Sequence, residues 1–311
     1  MKPLALIFSG LQAITFLEAV DLGYVEPGVV LVGGPWTPDS DTDRELRAVA
    51  TVFRLTPQRL AQFGFARDLV LGDPYSGIGQ LVLMLTRPKR LTIVEDGAAT
   101  YRAVRQIESS EPLVRVHEPA QRRVLLGRCS QRRFARLSAR GSLQWITHRT
   151  PSPPPQGSRT HSFNRLRHLV GSADSSVHGL IVGSALANDG HIRTRCYLNW
   201  LSDVLTTTEA TVFLPHRREP QQALELADRL GVAIDSTSIP LERRLLHYSG
   251  LRDVYCLPTT GAMTAAALRP DVKVHCPSIS PDCWVKGASP GQRDLVRLVE
   301  SLVCDSDAGH D

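Results

Sequence analysis

Short apolar runs alternate along the chain with longer stretches in which apolar positions return every three or four residues. In the first half the runs are Leu4 to Phe8, Val29-Val30-Leu31-Val32, Leu69-Val70-Leu71 and Leu91-Thr92-Ile93-Val94. Helical spacing fills Leu11 to Val20, Asp43 to Val52, Gly77 to Leu85 and Ala99 to Ile107. Strands alternating with helices predict a parallel sheet with crossover helices. The stretch Thr150-Pro151-Ser152-Pro153-Pro154-Pro155-Gln156-Gly157-Ser158-Arg159 breaks this rhythm, because its prolines lack donors and fix an extended backbone.

Beyond that stretch the alternation resumes. Strands are predicted at Leu180-Ile181-Val182, Thr211 to Leu214, Val232 to Ile234 and Asp253 to Leu257. Helices are predicted over Arg193 to Leu205, Pro220 to Leu230, Leu241 to Tyr248, Ala262 to Leu268 and Gly291 to Cys304, before a polar tail expected to fray. The expected architecture is α/β with two Rossmann-like domains: residues 1–150, a proline-rich linker over 151–172, a second domain over 173–290, and a C-terminal helix and tail over 291–311. Two such halves usually bind a ligand in the cleft between them, near the carboxyl ends of the strands.

Composition narrows the class. A length of 311 residues suits two cores, and 42% hydrophobic with 22% charged residues is the balance of a soluble globular protein. No apolar stretch is long enough to cross a bilayer, and the N-terminal run is broken by Ser9-Gly10 and Gln12, so it reads as a first strand rather than a signal peptide. The expected location is the cytoplasm, either free or peripheral at the inner face of the cell membrane, where the chain would associate with anionic lipid. The six cysteines lie far apart without Cys-x-x-Cys spacing, which signals neither a disulfide framework nor a metal site; Cys256 reads as a small core residue. The net charge of +5 and a pI near 9.0 suit an anionic partner without choosing among nucleotide, acidic glycan, lipid and nucleic acid.

Chemistry gathers at three predicted strand ends. Glu95-Asp96-Gly97 follows Val94, and neighbours on an extended backbone point to opposite sides, so one carboxylate can face a cleft while the other supports the loop. A like-charged neighbour raises a carboxyl pKa, which suits a general base, although a turn with a helix cap explains the pair equally well. Pro215-His216-Arg217-Arg218 ends another strand just before a helix, where His216 could bind and protonate a phosphate or be merely structural. Thr259-Thr260-Gly261 opens a helix of small residues, so its hydroxyls and amides make either a cap or an anion site. No phosphate-loop or dinucleotide fingerprint occurs. Asp39-Ser40-Asp41 and Asp41-Thr42-Asp43 read as a turn and helix cap rather than a metal motif.

The span holding Arg122, Arg123, Arg128, Arg132, Arg133, Arg136 and Arg140 contains no acid and interleaves Val124, Leu125, Leu126, Phe134 and Leu137. It suits an anionic lipid surface or an acidic acceptor, and equally a solvated basic helix.

In this order, Glu95-Asp96-Gly97, His216 and Thr259-Thr260 resemble the three signatures of bacterial sialyltransferases: an acidic pair with glycine, a histidine-proline motif and a paired hydroxyl motif. Ser9-Gly10-Leu11-Gln12 resembles the opening of the lipooligosaccharide sialyltransferase and capsular polysialyltransferase families. Leu180-Ile181-Val182-Gly183-Ser184 resembles their second-domain strand, and Ile239-Pro240-Leu241-Glu242 their Pro-x-Glu helix start. The resemblance implies a GT-B fold and inverting, metal-independent transfer of sialic acid or a related nonulosonic acid from a CMP-activated donor, the co-substrate, with no cofactor. The acceptor would be a cell-surface glycan or glycolipid.

In that scheme Glu95 or Asp96 is the base, and His216 serves the departing phosphate held by Thr259 and Thr260, with Gly261, Pro215 and Arg217 nearby. Gly97, Ser9, Gly10, Gln12, Gly183, Ser184 and Glu242 complete the expected substrate contacts. Two departures stand out: Arg217 occupies the place of the family's proline, Pro215 instead preceding the histidine, and the hydroxyl pair is Thr-Thr where serine is usual. Alternatives are a GT-B transferase using another nucleotide sugar, or a non-catalytic basic module for acidic polysaccharide or nucleic acid, the nucleic-acid partner being disfavoured.

Overall fold

The computed structural model describes residues 2–63, 66–115, 120–150, 154–169, 174–209, 212–237 and 239–304. The chain divides into two units, Met1–Leu169 and Val170–Asp311.

The first unit is built on a parallel sheet of β1 (Leu4–Ile7), β2 (Val29–Val32), β3 (Thr51–Arg54), β4 (Asp68–Leu71), β5 (Arg90–Val94), β6 (Leu143–Thr147) and β7 (Ser158–Thr160). Its order is β3-β2-β1-β4-β5-β6-β7. The helices are α1 (Gly10–Asp21), α2 (Ser40–Val49), α3 (Pro57–Phe63), α4 (Gly77–Thr86), α5 (Ala98–Glu108), α6 (Ala120–Ala139) and α7 (Asn164–Leu169). Alternate strand residues feed opposite layers: Leu4, Leu6, Leu69, Leu71, Leu91 and Ile93 pack on one face, and Ala5, Ile7, Val30, Val32, Val70 and Val94 on the other. Both faces are covered, which is why these strands read as unbroken apolar runs. As expected, Asp39 caps α2, its carboxylate accepting from the backbone N–H of Asp41 and Thr42 at 3.1 and 3.0 Å.

The second unit has β8 (Gly179–Val182), β9 (Val212–Leu214), β10 (Ala233–Ile234), β11 (Asp253–Cys256) and β12 (Lys273–His275), all parallel, in the order β10-β9-β8-β11-β12. Around it lie α8 (Thr194–Thr207), α9 (Gln221–Arg229), α10 (Leu241–His247), α11 (Thr260–Leu268) and α12 (Pro290–Cys304), with a 3-10 turn at Pro281–Cys283. The α/β class with two Rossmann-like units is thus present. In each sheet the chain first winds outward one way and then returns to wind the other. The strand order consequently reverses between β1 and β4 in the first unit and between β8 and β11 in the second, the positions where such sheets accept ligands.

Three expectations are corrected. The helix predicted to Val52 ends at Val49, Ala50 is extended, and β-branched and aromatic Thr51-Val52-Phe53 pair with β2 at the sheet edge. The stretch expected as a linker over 151–172 is, in its described part, structured: β7 pairs with β6, and α7 packs on α1. Residues 151–153 and 170–172, with the tail beyond 304, lie outside the described residues. Cys196 and Cys283 form a disulfide, a bond invisible in sequence because 87 positions separate them. Cys256 is buried, as expected. Among the described residues no helix is long and apolar enough to cross a membrane.

Trp145 anchors the first core at 1% exposure. Trp145→Ala should destabilise the first unit by about 3–5 kcal/mol, read as a lower urea midpoint with α/β circular dichroism retained.

Candidate functional site

In the first unit the carboxyl ends of β1, β4 and β5 hold most of the expected site residues. Ser9 follows β1 and caps α1, accepting from the backbone N–H of Gln12 at 3.3 Å. Gly10 and Gln12 begin that helix, and Gln12, 1% exposed, accepts from the backbone N–H of Phe8 at 2.8 Å. Its side chain crosses Gly72 so closely that any Cβ there would overlap it. Past the end of β5, Asp96 receives hydrogen bonds from the Ser9 hydroxyl at 3.1 Å and from the Gln12 amide. Gly97 has φ +66° and ψ −143°, a conformation that side chains resist, so the third position of the acidic motif must be glycine to turn the chain into α5.

Glu95 and Asp96 diverge, as neighbours on an extended backbone do. Glu95 is wholly buried. Its Oε2 accepts from both the backbone N–H of His148 at 2.7 Å and His148 Nδ1 at 2.8 Å. Nδ1 stands 2.8 Å from Oε1 too, but without hydrogen-bond geometry, so Oε1 has no hydrogen-bond partner among the described residues. Burial pushes the Glu95 carboxyl up, yet the His148 charge and hydrogen bonds, with His161, hold it below the usual range overall. With Glu95 ionised, Nδ1 must carry the proton it shares.

His161, after β7, stacks edge-on against Phe163 with ring centroids 4.5 Å apart. Neither ring nitrogen has a hydrogen-bond partner among the described residues, and burial lowers its pKa to about 4. His148, Arg149, Thr150, Thr160, His161 and Ser162 line a depression of about 350 Å³. Sequence reasoning missed His148 and His161. Both follow strands that lay beside or inside the supposed linker, and only sheet pairing brings them to Glu95.

Asp96 keeps part of its surface open. Burial first, and then the Asp73 carboxylate, raise its pKa to about 7 against the pull of Gln12, Arg115 and Ser9. The like charge was expected to be its sequence neighbour; it is instead Asp73, just beyond Gly72, 2% exposed and ion-paired with Arg115. Asp73 and Arg115 also escaped sequence reasoning, the acid because it stands alone in its segment.

In the second unit β8 lies between β9 and β11, with Val182 level with Leu214 and Cys256, so three loops meet at one sheet edge. These loops carry Gly183-Ser184, Pro215-His216-Arg217 and Thr259-Thr260-Gly261. Glu219 ties the first two: it accepts from the backbone N–H of His216 at 2.9 Å, from the Ser184 backbone and from the Tyr197 hydroxyl. A Cβ on Gly183 would overlap Glu219 and press on His216 and Pro215, which is why glycine follows β8. Burial raises the Glu219 pKa to about 7.

His216 accepts from the backbone N–H of Arg218 through Nδ1 at 3.1 Å. Burial and the Arg218 and Arg217 charges lower its pKa to about 4. The imidazole is therefore neutral near pH 7 and offers an Nε2–H donor, not the positive charge expected of a phosphate acid. Arg217 is exposed, and Arg218 pairs with Asp189 at 2.7 Å. Thr259 stands at the N-cap of α11 in extended conformation, yet its side chain makes no capping bond. Thr260 begins the helix, and Gly261 admits close packing of Leu241 and Val182. Glu242 is buried in the first turn of α10, at 7% exposure.

No family model and no curated protein matches the chain. Among solved structures it is similar to an alpha/beta-galactoside alpha-2,3-sialyltransferase of the luminous marine bacterium Photobacterium phosphoreum, with TM-score 0.54 and 10% identity over 98% of this chain and 96% of that one. Weaker likenesses include TcCGT1 in complex with UDP, TM-score 0.47 and 12% identity over 97% and 94%, and the E. coli heptosyltransferase WaaC with ADP, TM-score 0.45 and 11% identity over 99% of both chains. The first likeness shows the GT-B-like fold.

Because Asp96 has its pKa raised from an ordinary 3.8 to about 7, its contribution to stability is complete below pH 4 and lost as pH rises through 7. Asp96→Asn should therefore melt higher than the parent at pH 8, with the gap closing toward pH 4 in a thermal-melt series.

Proposed function

We propose that the chain is an inverting, metal-independent glycosyltransferase that moves sialic acid or a related nonulosonic acid from a CMP-activated donor to a glycan or glycolipid hydroxyl. The observation that carries this reading is Asp96: a partly exposed residue just past β5, beside the strand-order reversal, its carboxyl held by Ser9 and Gln12 and its pKa raised to about 7. A base so tuned is ionised often enough at neutral pH to accept a proton and basic enough to pull it. The sugar donor is carried over from the sequence resemblance and from the name of the Photobacterium phosphoreum enzyme.

Asp96 takes the proton of the acceptor hydroxyl as its oxygen attacks the anomeric carbon. The bond from that carbon to the CMP phosphate breaks, with inversion. The departing phosphate is met by the Nε2–H of neutral His216, the uncommitted Thr259 hydroxyl and the amides at the start of α11, donors that need no cation. Glu95 is given no proton to move: its carboxylate is spent on His148, and its part is to hold the end of β5 so that Asp96 turns the other way.

A calorimetric titration with CMP, UMP, GDP and UDP, with and without chelator, tests the reading. Selective, chelator-insensitive CMP binding is expected. Preference for UDP or GDP moves the protein to another transferase class, and absence of nucleotide binding overturns the enzymatic reading. With a CMP-sialic acid donor, Asp96→Asn should lower kcat about 10²–10⁴-fold at unchanged fold, and the parent's rate should rise with pH through about 7. Glu95→Gln should instead lower thermal stability; equal, mild losses from the two substitutions would remove Asp96 as the base.

A further inference from the structure

The helix α4 carries no charged residue, and only half of it is covered. Val82 and Leu83 are buried at 1% and 0%, while Ile78, Leu81 and Leu85, spaced along one face, are 46%, 47% and 69% exposed. Beside it packs α6, whose outward face begins with Leu125 at 79% exposure and continues through Arg128, Arg132 and Arg136. The Arg123 guanidinium lies against Gly77 at the start of α4, and Arg133 donates to the Pro88 carbonyl at 3.3 Å just past its end. The two helices thus form one surface, apolar along α4 and basic along α6.

Charge is segregated to this surface. Residues 77–89 and 120–140 hold nine of the chain's 36 Lys and Arg and none of its 31 Asp and Glu, so the remainder carries four more acids than bases. Arg133 has its pKa lowered by burial and by the charges of Arg140, Arg87 and Arg136, a sign of how closely the cations crowd. At the end of α4, Arg87 occupies a left-handed conformation, φ +46°, where glycine is easier.

We infer that the α4–α6 face docks on an anionic phospholipid bilayer, with Ile78, Leu81, Leu85 and Leu125 entering the headgroup boundary and the arginines of α6 meeting lipid phosphates. The occupants a basic apolar face otherwise suits fit less well. A second copy meeting this face with its own would oppose two clusters of like charge. Nucleic acid is held by phosphate contacts and aromatic stacking, yet the aromatic residue of α6, Phe134, is buried and α4 has none. An acidic polysaccharide would leave the exposed leucines without a purpose. A bilayer uses both halves, apolar burial and electrostatic attraction together. The inference concerns the first unit alone and stands apart from the transferase reading.

Flotation of the purified full chain with vesicles tests it, using phosphatidylcholine alone and phosphatidylcholine with roughly one-third phosphatidylglycerol. The chain should float with the anionic vesicles, stay behind with the neutral ones, and be released as ionic strength rises. A triple Arg128→Glu, Arg132→Glu, Arg136→Glu variant and a triple Leu81→Ser, Leu85→Ser, Leu125→Ser variant should each lose at least about tenfold in affinity, with melting temperatures near the parent's. Nucleotide titration should be unaltered in both, which separates this test from that of the proposed chemistry. No flotation at low ionic strength, equal binding to neutral vesicles, or full binding by the leucine variant would each overturn the inference, the last leaving only a polyanion-binding face.

Discussion

The bond between the Glu95 carboxylate and His148 is the constraint from which the first unit's site follows. An ionised carboxylate at zero exposure is tolerable only when paired and hydrogen-bonded, and Glu95 is served by both the ring and the backbone N–H of His148. That requirement locks the end of β5 to the end of β6. It also fixes the sense of the pleat, so Asp96 must leave on the side of β1 and β4, into the company of Ser9, Gln12 and Asp73. Gly97 then bends the backbone through a conformation open to glycine before α5 begins.

The second unit solves the same problem with different residues. Glu219 gathers Tyr197, the Ser184 backbone and the His216 backbone, stitching the loop after β8 to the loop after β9. A glycine makes the room in each case: Gly72 under Gln12, Gly183 under Glu219. In both units one acidic group is committed to holding strand ends, and the groups left open are a carboxyl with pKa near 7 in the first and a neutral imidazole in the second.

Much of this was legible in the sequence wherever strands are buried on both faces, because an unbroken Val, Ile or Leu run leaves little ambiguity. The edges were not. Leu46, Val49 and Val52 keep helical spacing across Ala50, so β3 was absorbed into the preceding helix. Only three residues long and largely exposed, β7 follows prolines and looked like a linker, and β12 is equally short. The acidic pair, His216 and the threonine pair stand out in the sequence because each ends a strand. Their partners were hidden because each depends on pairing across the sheet: His148 lies 53 positions from Glu95, and Asp73 reaches Asp96 only because β4 lies beside β5. Electrical character was not legible either, since a histidine beside two arginines looks cationic until its burial is known.

The basic isoelectric point takes on a different meaning once the charges are placed. Within the first unit, residues 77–89 and 120–140 carry nine bases and no acid while bases and acids balance over the rest of it, so this unit is an electric dipole more than a uniformly positive body. Even at the pH where its net charge vanishes, it would present a strongly positive face to one side. A negatively charged surface would draw that face of the first unit toward itself before touching it, so encounters begin already oriented.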